Sequence, residues 1–169
     1  MQNGRKVFSF QSAAIPSVHC VHTVHIVHRR SNRLPPVVDD APAYDPLYVK
    51  GFEQFNACDF FEAHEVWEEL WSDHQGPSRR FFQGLIQVAV CLHHFGNGNT
   101  RGAVKLYHSS RNYLEAYRPH HLGVDVDKLL EDLEGCCREI VHSSEDFPTT
   151  ELAPERIPEI HLDPPAKES

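Results

Sequence analysis

The central hundred residues repeat their apolar side chains with the period of an α-helix, and this pattern restricts the fold more than any other feature of the chain. Five such segments follow one another, and none alternates apolar and polar residues as a half-buried strand does. The predicted helices cover residues 46–57, 60–74, 78–95, 100–117 and 125–142. Short loops between them imply that neighbouring helices run antiparallel. We therefore expect an all-α fold, a compact bundle of about five helices.

Residues that start or break helices stand between these segments. Pro46 is typical of a first helical position, and Asp125 can cap the last helix. Asp59, followed three residues later by Glu62, predicts a capping box at the start of the second helix. The sequence GNGN at residues 96–99 predicts a break between the third and fourth helices.

The two ends of the chain differ from this helical domain, which we place at residues 44–146. Residues 1–43 contain no helical periodicity, and we interpret them as a disordered extension, with an organelle transit peptide as the alternative. A repeated Val-His unit in this extension spaces four histidines three residues apart, at His19, His22, His25 and His28. Residues 147–169 contain five prolines and predict a tail that lies on the surface or is disordered.

Charge and composition exclude some classes of partner. Residues 1–38 carry five bases and no acid, whereas the remainder carries 11 bases and 24 acids. A body this acidic repels phosphate backbones, so we expect no nucleic-acid partner. No stretch approaches the ~20 apolar residues of a membrane helix, so we expect no membrane partner. The five cysteines form no C-x-x-C motif and are interpreted as reduced thiols, which favours a cytoplasmic location, or an organelle if the leader is a transit peptide.

The run FNACDFFEAHEVWEELW, residues 55–71, combines carboxylates, a histidine and two tryptophans on one predicted helix. At 100° per residue, His64 falls inside the apolar stripe that contains Trp67 and Trp71. Glu68 lies one turn after His64 at the edge of this stripe, where a carboxylate loses hydration and needs compensation. We therefore expect His64 and Glu68 to turn toward the interior and to compensate each other, with a purely structural core histidine as the alternative.

The third predicted helix is apolar around more than half its circumference and is expected to cross the centre of the bundle. Its narrow polar strip includes Gln83, Gln87 and His94. This strip either faces solvent or meets His64 and Glu68 across the helix pair.

A divalent metal is possible at this cluster on ligand type alone, with His64, Glu68 and His94 as candidate ligands. His64 and Glu65 begin like the H-E-x-x-H motif of zinc proteases, but the second histidine of that motif is absent. The sequence therefore does not predict a zinc protease.

Several of these motifs together resemble one known family. They are FN...FFEAHEVWEELW, RRFFQGLIQVAV, HH.GNGN.RGA and a final helix after GVDVD. Over about residues 48–140 the chain resembles the bacterial and archaeal family called domain of unknown function 309. The resemblance implies a compact all-helical domain with no established activity, and its recurring polar positions match His64, Glu65, Glu68, Gln83 and Gln87. Cys58 departs from the glycine often found at that turn of the family.

Two functions remain open from the sequence. The first is a domain that binds a small molecule or a metal, with hydrolysis of the bound molecule left open and with His64 and Glu68 as candidate catalytic residues. The candidate ligand-binding residues are Glu65, Trp67, Trp71, Gln83, Gln87 and His94. The second is a non-enzymatic protein-interaction module in which the cluster is structural. The sequence does not decide whether the protein is an enzyme.

Overall fold

The computed structural model describes residues 44–145 and 148–165, so the extension of residues 1–43 with its four spaced histidines lies outside the described residues. All five predicted helices are present, and the expected all-α fold is confirmed. They are α1 (Pro46–Asn56), α2 (Phe60–Asp73), α3 (Arg79–Gly96), α4 (Thr100–Leu114) and α5 (Val126–Val141).

The connection between α4 and α5 contains short elements that the sequence did not indicate. The 3-10 helix Glu115–Tyr117 continues α4, which explains why the predicted fourth helix extended to residue 117. A hairpin follows, in which β1 (His120–His121) pairs antiparallel with β2 (Val124–Asp125). Each strand has only two residues, which is too short for an alternating pattern to appear.

The core surrounds α3, as its apolar circumference predicted. This helix packs against α2 on one side and α4 on the other, while α1 packs on α2 and α5 packs on α4. The largest fully buried side chains include Phe55, Trp67, Phe81, Leu85 and Leu133. Of the helices in the described part of the chain, none is long and apolar enough to cross a lipid bilayer.

One glycine permits close contact between α1 and α2. A Cβ atom at Gly51 would lie 2.0 Å from Nε1 of Trp67, well inside the contact distance of the two atoms. The Trp67 indole fills the space above this glycine, and its Nε1 donates a hydrogen bond to the carbonyl of Tyr48 at 3.3 Å. The Trp67 side chain of α2 therefore packs directly on the backbone of α1.

The helix ends confirm one predicted cap and correct another. The Asp125 carboxylate accepts a hydrogen bond from the Lys128 N–H at 2.9 Å, as predicted. Asp59 stands at the N-cap of α2, but its side chain makes no cap hydrogen bond. Its own N–H already donates to the carbonyl of Gln54 at 2.9 Å, so Glu62 has no free amide to bind there. The predicted capping box is therefore wrong, because the end of α1 uses the amide that the box requires.

Residues 148–165 follow an irregular path along the bundle, with a 3-10 helix at Pro154–Arg156. The Asn56 side chain fastens this tail by accepting from the Ile160 N–H at 2.9 Å and donating to the Ile160 carbonyl at 2.8 Å. Ile160 itself is buried in the core. Tyr44 donates to the carbonyl of Asp163 at 2.9 Å. Residues 148–165 thus follow the surface of the bundle for most of their length.

Candidate functional site

Two aromatic contacts set the register of α2 against α3. Phe61 and His93 pack with ring centroids 5.5 Å apart at one end, and the Arg79 guanidinium lies 3.9 Å from the Trp71 ring centroid at the other. The helices therefore run antiparallel, as predicted from the short loop. With a rise of about 1.5 Å per residue, His64 lies at the height of about residue 88 of α3. We use the name histidine face for Phe61, His64, His93 and His94, whose rings are linked by contacts from one to the next, together with Gln87, which lies at about the height of His64 on α3.

His64 is half-buried at the junction of the two helices. Its ring packs edge-on against Phe61 with centroids 4.7 Å apart. Its Nδ1 atom is buried and has no hydrogen-bond partner among the described residues. The sequence correctly predicted that this imidazole turns toward the protein, but it also predicted a partner that is missing.

The missing partner is Glu68, and the expectation that Glu68 faces the interior is wrong. Its side chain is exposed, and no hydrogen bond or ion pair joins it to another residue of the described segments. Glu68 lies on the side of His64 that faces away from the buried stripe, so its flexible stem carries the carboxylate into water. Glu65 is exposed as well. Neither carboxylate is buried, and Glu68 does not make the interior hydrogen bond that the sequence predicted.

The polar strip of α3 supplies a second buried group without a partner. Gln83 and Gln87 are both half-buried. The Oε1 atom of Gln87 is buried and accepts no hydrogen bond from the described part of the chain. Gln87 and His64 thus stand at nearly the same height on adjacent helices, each with one orphaned polar atom.

His93 and His94 complete the histidine face near the GNGN turn. Burial lowers the pKa of His93, and the neighbouring His94 and His64 lower it further, while Glu62 acts in the opposite direction. Burial also lowers the pKa of His94. The Asn99 amide Nδ2 lies 3.2 Å from Nδ1 of His94, a contact that suits a neutral imidazole because the amide nitrogen donates.

His93 and Phe61 were missed as site residues. In the sequence His93 falls among the apolar positions of α3, and Phe61 is one of three phenylalanines near the start of α2. Phe61 remains 46% exposed although it contacts two imidazoles. The one available signal was the antiparallel order of α2 and α3, which brings the start of one helix to the end of the other.

The two tryptophans, which are candidate ligand-binding residues in the sequence, occupy structural positions. Trp67 is 0% exposed and sealed between α1 and α2, so a ligand has no access to it. Trp71 is half-buried beneath Arg79, which donates hydrogen bonds to the carbonyls of Trp71 at 2.5 Å and His74 at 2.6 Å. Trp71 lies about 10 Å along α2 from His64. The tryptophans therefore stabilise the core and the loop after α2.

The predicted metal ligands are not brought together. Within residues 44–145 and 148–165, no three His, Cys, Asp or Glu side chains are grouped so that they could hold an ion. His64, Glu68 and His94 thus form no three-ligand set, since Glu68 points into water. Two open depressions, of about 710 Å³ between α5 and the tail and about 320 Å³ beside Thr100 and Ile140, contain no predicted site residue.

The fold is that of a small helical domain with histidines at the junction of its second and third helices. Residues 48–106 match the model of the family described as Domain of unknown function (DUF309). This stretch runs from α1 into α4 and contains every predicted site residue. The resemblance is confirmed there, although the match ends before α5.

The chain is similar to two uncharacterized proteins. The uncharacterized protein YpuF of Bacillus subtilis (strain 168) is 36% identical over 101 residues, which are 57% of this chain and 58% of YpuF. An uncharacterized protein of Aquifex aeolicus (strain VF5) is 29% identical over 86 residues, which are 48% of this chain and 26% of that protein. The aligned segment thus covers little more than half of YpuF and about a quarter of the Aquifex protein.

Proposed function

We propose that the histidine face binds a small polar ligand, with His64 and Gln87 as its hydrogen-bonding residues. The observation that carries this proposal is the pair of buried atoms without partners, Nδ1 of His64 and Oε1 of Gln87. Leaving one such group unsatisfied costs about 1–3 kcal/mol, and buried polar groups in native proteins are nearly always paired. A ligand that completes both hydrogen bonds would remove this cost.

The residues of the face indicate the chemistry of the ligand. Oε1 of Gln87 accepts, so the ligand must offer an N–H or O–H group, while Nδ1 of His64 can donate or accept according to its tautomer. Lowered pKa values keep His93 and His94 neutral near pH 7. The exposed ring of Phe61 provides an apolar contact beside them. These features suit a compact neutral amide or alcohol with an apolar portion.

The proposal concerns binding and not hydrolysis. Glu68, a candidate catalytic residue from the sequence, is exposed and makes no hydrogen bond to His64, so the candidate catalytic pair is not formed. The buried reduced thiols Cys91, Cys136 and Cys137 support our inference of a cytoplasmic location, since such thiols persist in reducing compartments.

A fragment screen by nuclear magnetic resonance tests the proposal. Small amides and alcohols are added to the native protein, and the side-chain amide signals of Gln87 and the ring signals of His64 are followed. We expect saturable shifts at both residues, and their loss in Gln87→Leu. Absence of any saturable shift at these two side chains across the screen would contradict the proposal.

Gln54→Leu provides a matched control. Oε1 of Gln54 is also buried without a described partner, but Gln54 lies on α1 and outside the histidine face. Removing it should change stability in the same direction as Gln87→Leu while the ligand response is retained. If both variants lose the response equally, the effect is one of folding rather than of binding.

A second candidate function is protein interaction, and the exposed ring of Phe61 favours it. A large apolar side chain that stays 46% exposed above two imidazoles is typical of a contact residue. Phe61→Ser should then abolish association with the protein partner, while small-molecule shifts at Gln87 would be absent from the native protein. Sedimentation of native protein and Phe61→Ser in cell extract distinguishes this outcome from the first.

A further inference from the structure

Ser78 and His121 form a hydroxyl–imidazole pair at the other end of α3. Oγ of Ser78 lies 2.9 Å from Nε2 of His121, although 43 residues separate them in the chain. Ser78 is the N-cap residue of α3, and its hydroxyl makes no cap hydrogen bond. The Ser78 hydroxyl therefore makes its hydrogen bond with the His121 imidazole and not with a backbone N–H at the start of α3. About ten residues of α3, or about 15 Å, separate this pair from the histidine face.

Two aromatic rings fix the orientation of this imidazole. The His121 ring packs against Phe81 at 4.7 Å and against Tyr117 at 4.6 Å between centroids. Tyr117 is itself held in place, because its hydroxyl donates to the carbonyl of Pro77 at 2.8 Å. Burial lowers the pKa of His121, so the ring is neutral at pH 7 and able to accept a proton.

The surroundings of the pair contain further polar groups without partners. The N–H groups of Arg80 and Phe81, in the first turn of α3, donate to no acceptor in the described segments. The positive end of the helix dipole lies at the same place. The His74 ring packs against Gly76, which lies two residues before Ser78. A Cβ atom at Gly76 would lie 2.7 Å from Nε2 of His74. That Nε2 atom is buried and has no described partner.

We propose that Ser78 is a nucleophile and His121 its general base, in a site for small carboxylic esters at the start of α3. A hydroxyl hydrogen-bonded to an oriented imidazole is the arrangement that acyl transfer requires. The N–H group of Arg80, an exposed residue in the first helical turn, would stabilise the negative oxygen of the tetrahedral intermediate. A purely structural pair would instead fasten the hairpin to α3 and would be unreactive.

The proposed reaction balances with water as the second substrate. The Oγ–carbon bond forms while the hydroxyl proton passes to Nε2 of His121. The ester C–O bond then breaks, and the departing oxygen takes that proton and leaves as an alcohol. Water next attacks the acyl group, gives one proton to His121 and releases the carboxylic acid, while that proton returns to Oγ of Ser78.

Labelling of the full chain with diisopropyl fluorophosphate tests this proposal. The Oγ–phosphorus bond forms, the phosphorus–fluorine bond breaks, and the hydroxyl proton leaves through His121. We expect one adduct per chain, mapped to Ser78 by peptide mass spectrometry, and none in Ser78→Ala. We expect His121→Gln to slow labelling about 100-fold or more, in the range of general-base contributions. Absence of an adduct on native protein overturns the proposal.

Ser110 is a matched control within the same molecule. It is less exposed than Ser78, at 0% against 8%, and its hydroxyl donates to the carbonyl of Tyr107. It should remain unlabelled, and equal labelling of both serines would overturn the proposal. Ser72 is the accessible control, because it is exposed and its hydroxyl donates to the carbonyl of Glu69, and it should remain unlabelled as well. Melting temperatures of the variants show whether each is folded.

The pH dependence of labelling gives a readout that does not need a variant. The polar side chains that contact the His121 ring are Ser78 and Tyr117. On the adjacent residue, Nε2 of His120 lies 3.6 Å from a carboxylate oxygen of Asp125. Because the base form of His121 is needed and burial lowers its pKa, the rate should rise with pH and level off below about 6.5. A rate that continues to climb in proportion to hydroxide up to pH 9 would overturn the proposal.

Discussion

At the scale of single residues, Cys58 occupies a backbone conformation that suits glycine. Helices α1 and α3 end in the same way, with one residue in the left-handed region. Around Cys58 the N–H of Asp59 donates to Gln54 and that of Cys58 donates to Phe55. Around Gly98, whose φ is 73°, the N–H of Asn99 donates to the carbonyl of His94 and the N–H of Gly98 donates to the carbonyl of Phe95. These are the paired bonds of a Schellman motif, but Cys58 adopts a φ of 65° with a side chain present.

We expect Cys58→Gly to stabilise the protein. A left-handed conformation costs a residue with a Cβ roughly 1–2 kcal/mol, and glycine avoids this cost at the expense of a more flexible unfolded chain and of the contacts that the half-buried Cys58 side chain makes with the core. The expected net gain in the free energy of unfolding is about 1 kcal/mol, measured by urea denaturation. Ala57→Gly is the control, since Ala57 has an ordinary φ of −80° and should lose stability. Equal effects of the two changes would contradict this account.

A second residue-scale prediction concerns the seat of Trp67. Gly51→Ala would place a methyl group 2.0 Å from the Trp67 Nε1, so the helices must move apart. Overpacking of this kind typically costs about 1–3 kcal/mol, although alanine is the better helix former by about 1 kcal/mol. We expect a lower melting temperature in thermal denaturation.

Gly135→Ala is the matched control for Gly51→Ala. Nothing lies within 4 Å of a Cβ at Gly135 on α5, so only helix propensity changes there. That variant should gain about 0.5–1 kcal/mol. If Gly51→Ala also stabilises the protein, the close packing of Trp67 on Gly51 does not limit the size of the side chain at position 51.

The sequence predicted the orientation of single residues only in part. His64 sits at the helix junction because its position in the apolar stripe determines it. Glu68 lies only 40° away on the same helix, yet its long flexible stem reaches water. Periodicity fixes where a Cβ points but not where the end of a glutamate side chain lies. For the same reason the orphaned Oε1 of Gln87 had no signal in the sequence.

At the scale of elements, the tail after α5 is held by a few specific contacts. Asn56 alone makes two hydrogen bonds to the backbone of Ile160. We expect Asn56→Ala to lower the free energy of unfolding by about 1–3 kcal/mol, because two backbone groups lose their partner beside a buried side chain. Hydrogen exchange should also quicken selectively at residues 157–163. Uniformly faster exchange over the whole domain would show that the tail does not open separately.

The helices were predictable as elements, whereas their connections were not. Apolar periodicity defined all five, and their observed ends differ by a few residues at most. The hairpin at residues 120–125 and the tail depend on contacts between distant positions, such as Tyr48 with the carbonyl of Leu122 at 3.0 Å. No local pattern encodes such contacts. The Ser78–His121 pair was missed for this reason, since its second member lies on that hairpin.

At the scale of the whole molecule, three half-buried histidines make stability depend on pH. Burial lowers the pKa values of His93, His94 and His121. The unfolded chain therefore binds more protons than the folded one at pH values below about 6.5. Stability from these groups is fully present above this pH and is lost as the pH falls below it. We expect the melting temperature to fall between pH 7 and pH 5.

Comparison of variants separates this effect from the titration of carboxylates. The double change His93→Gln and His94→Gln should make the melting temperature less sensitive to pH over that interval. His108→Gln, on the exposed side of α4, is the control and should leave the slope near that of native protein. An unchanged slope in the double variant would show that these two imidazoles do not contribute.

The hydrogen bond between Tyr44 and Asp163 joins the segment before α1 to the end of the tail. The first described residue and the closing segment of the tail meet at 2.9 Å, on one side of the bundle. The segment that enters α1 and the end of the tail are therefore held together on the same side of the bundle.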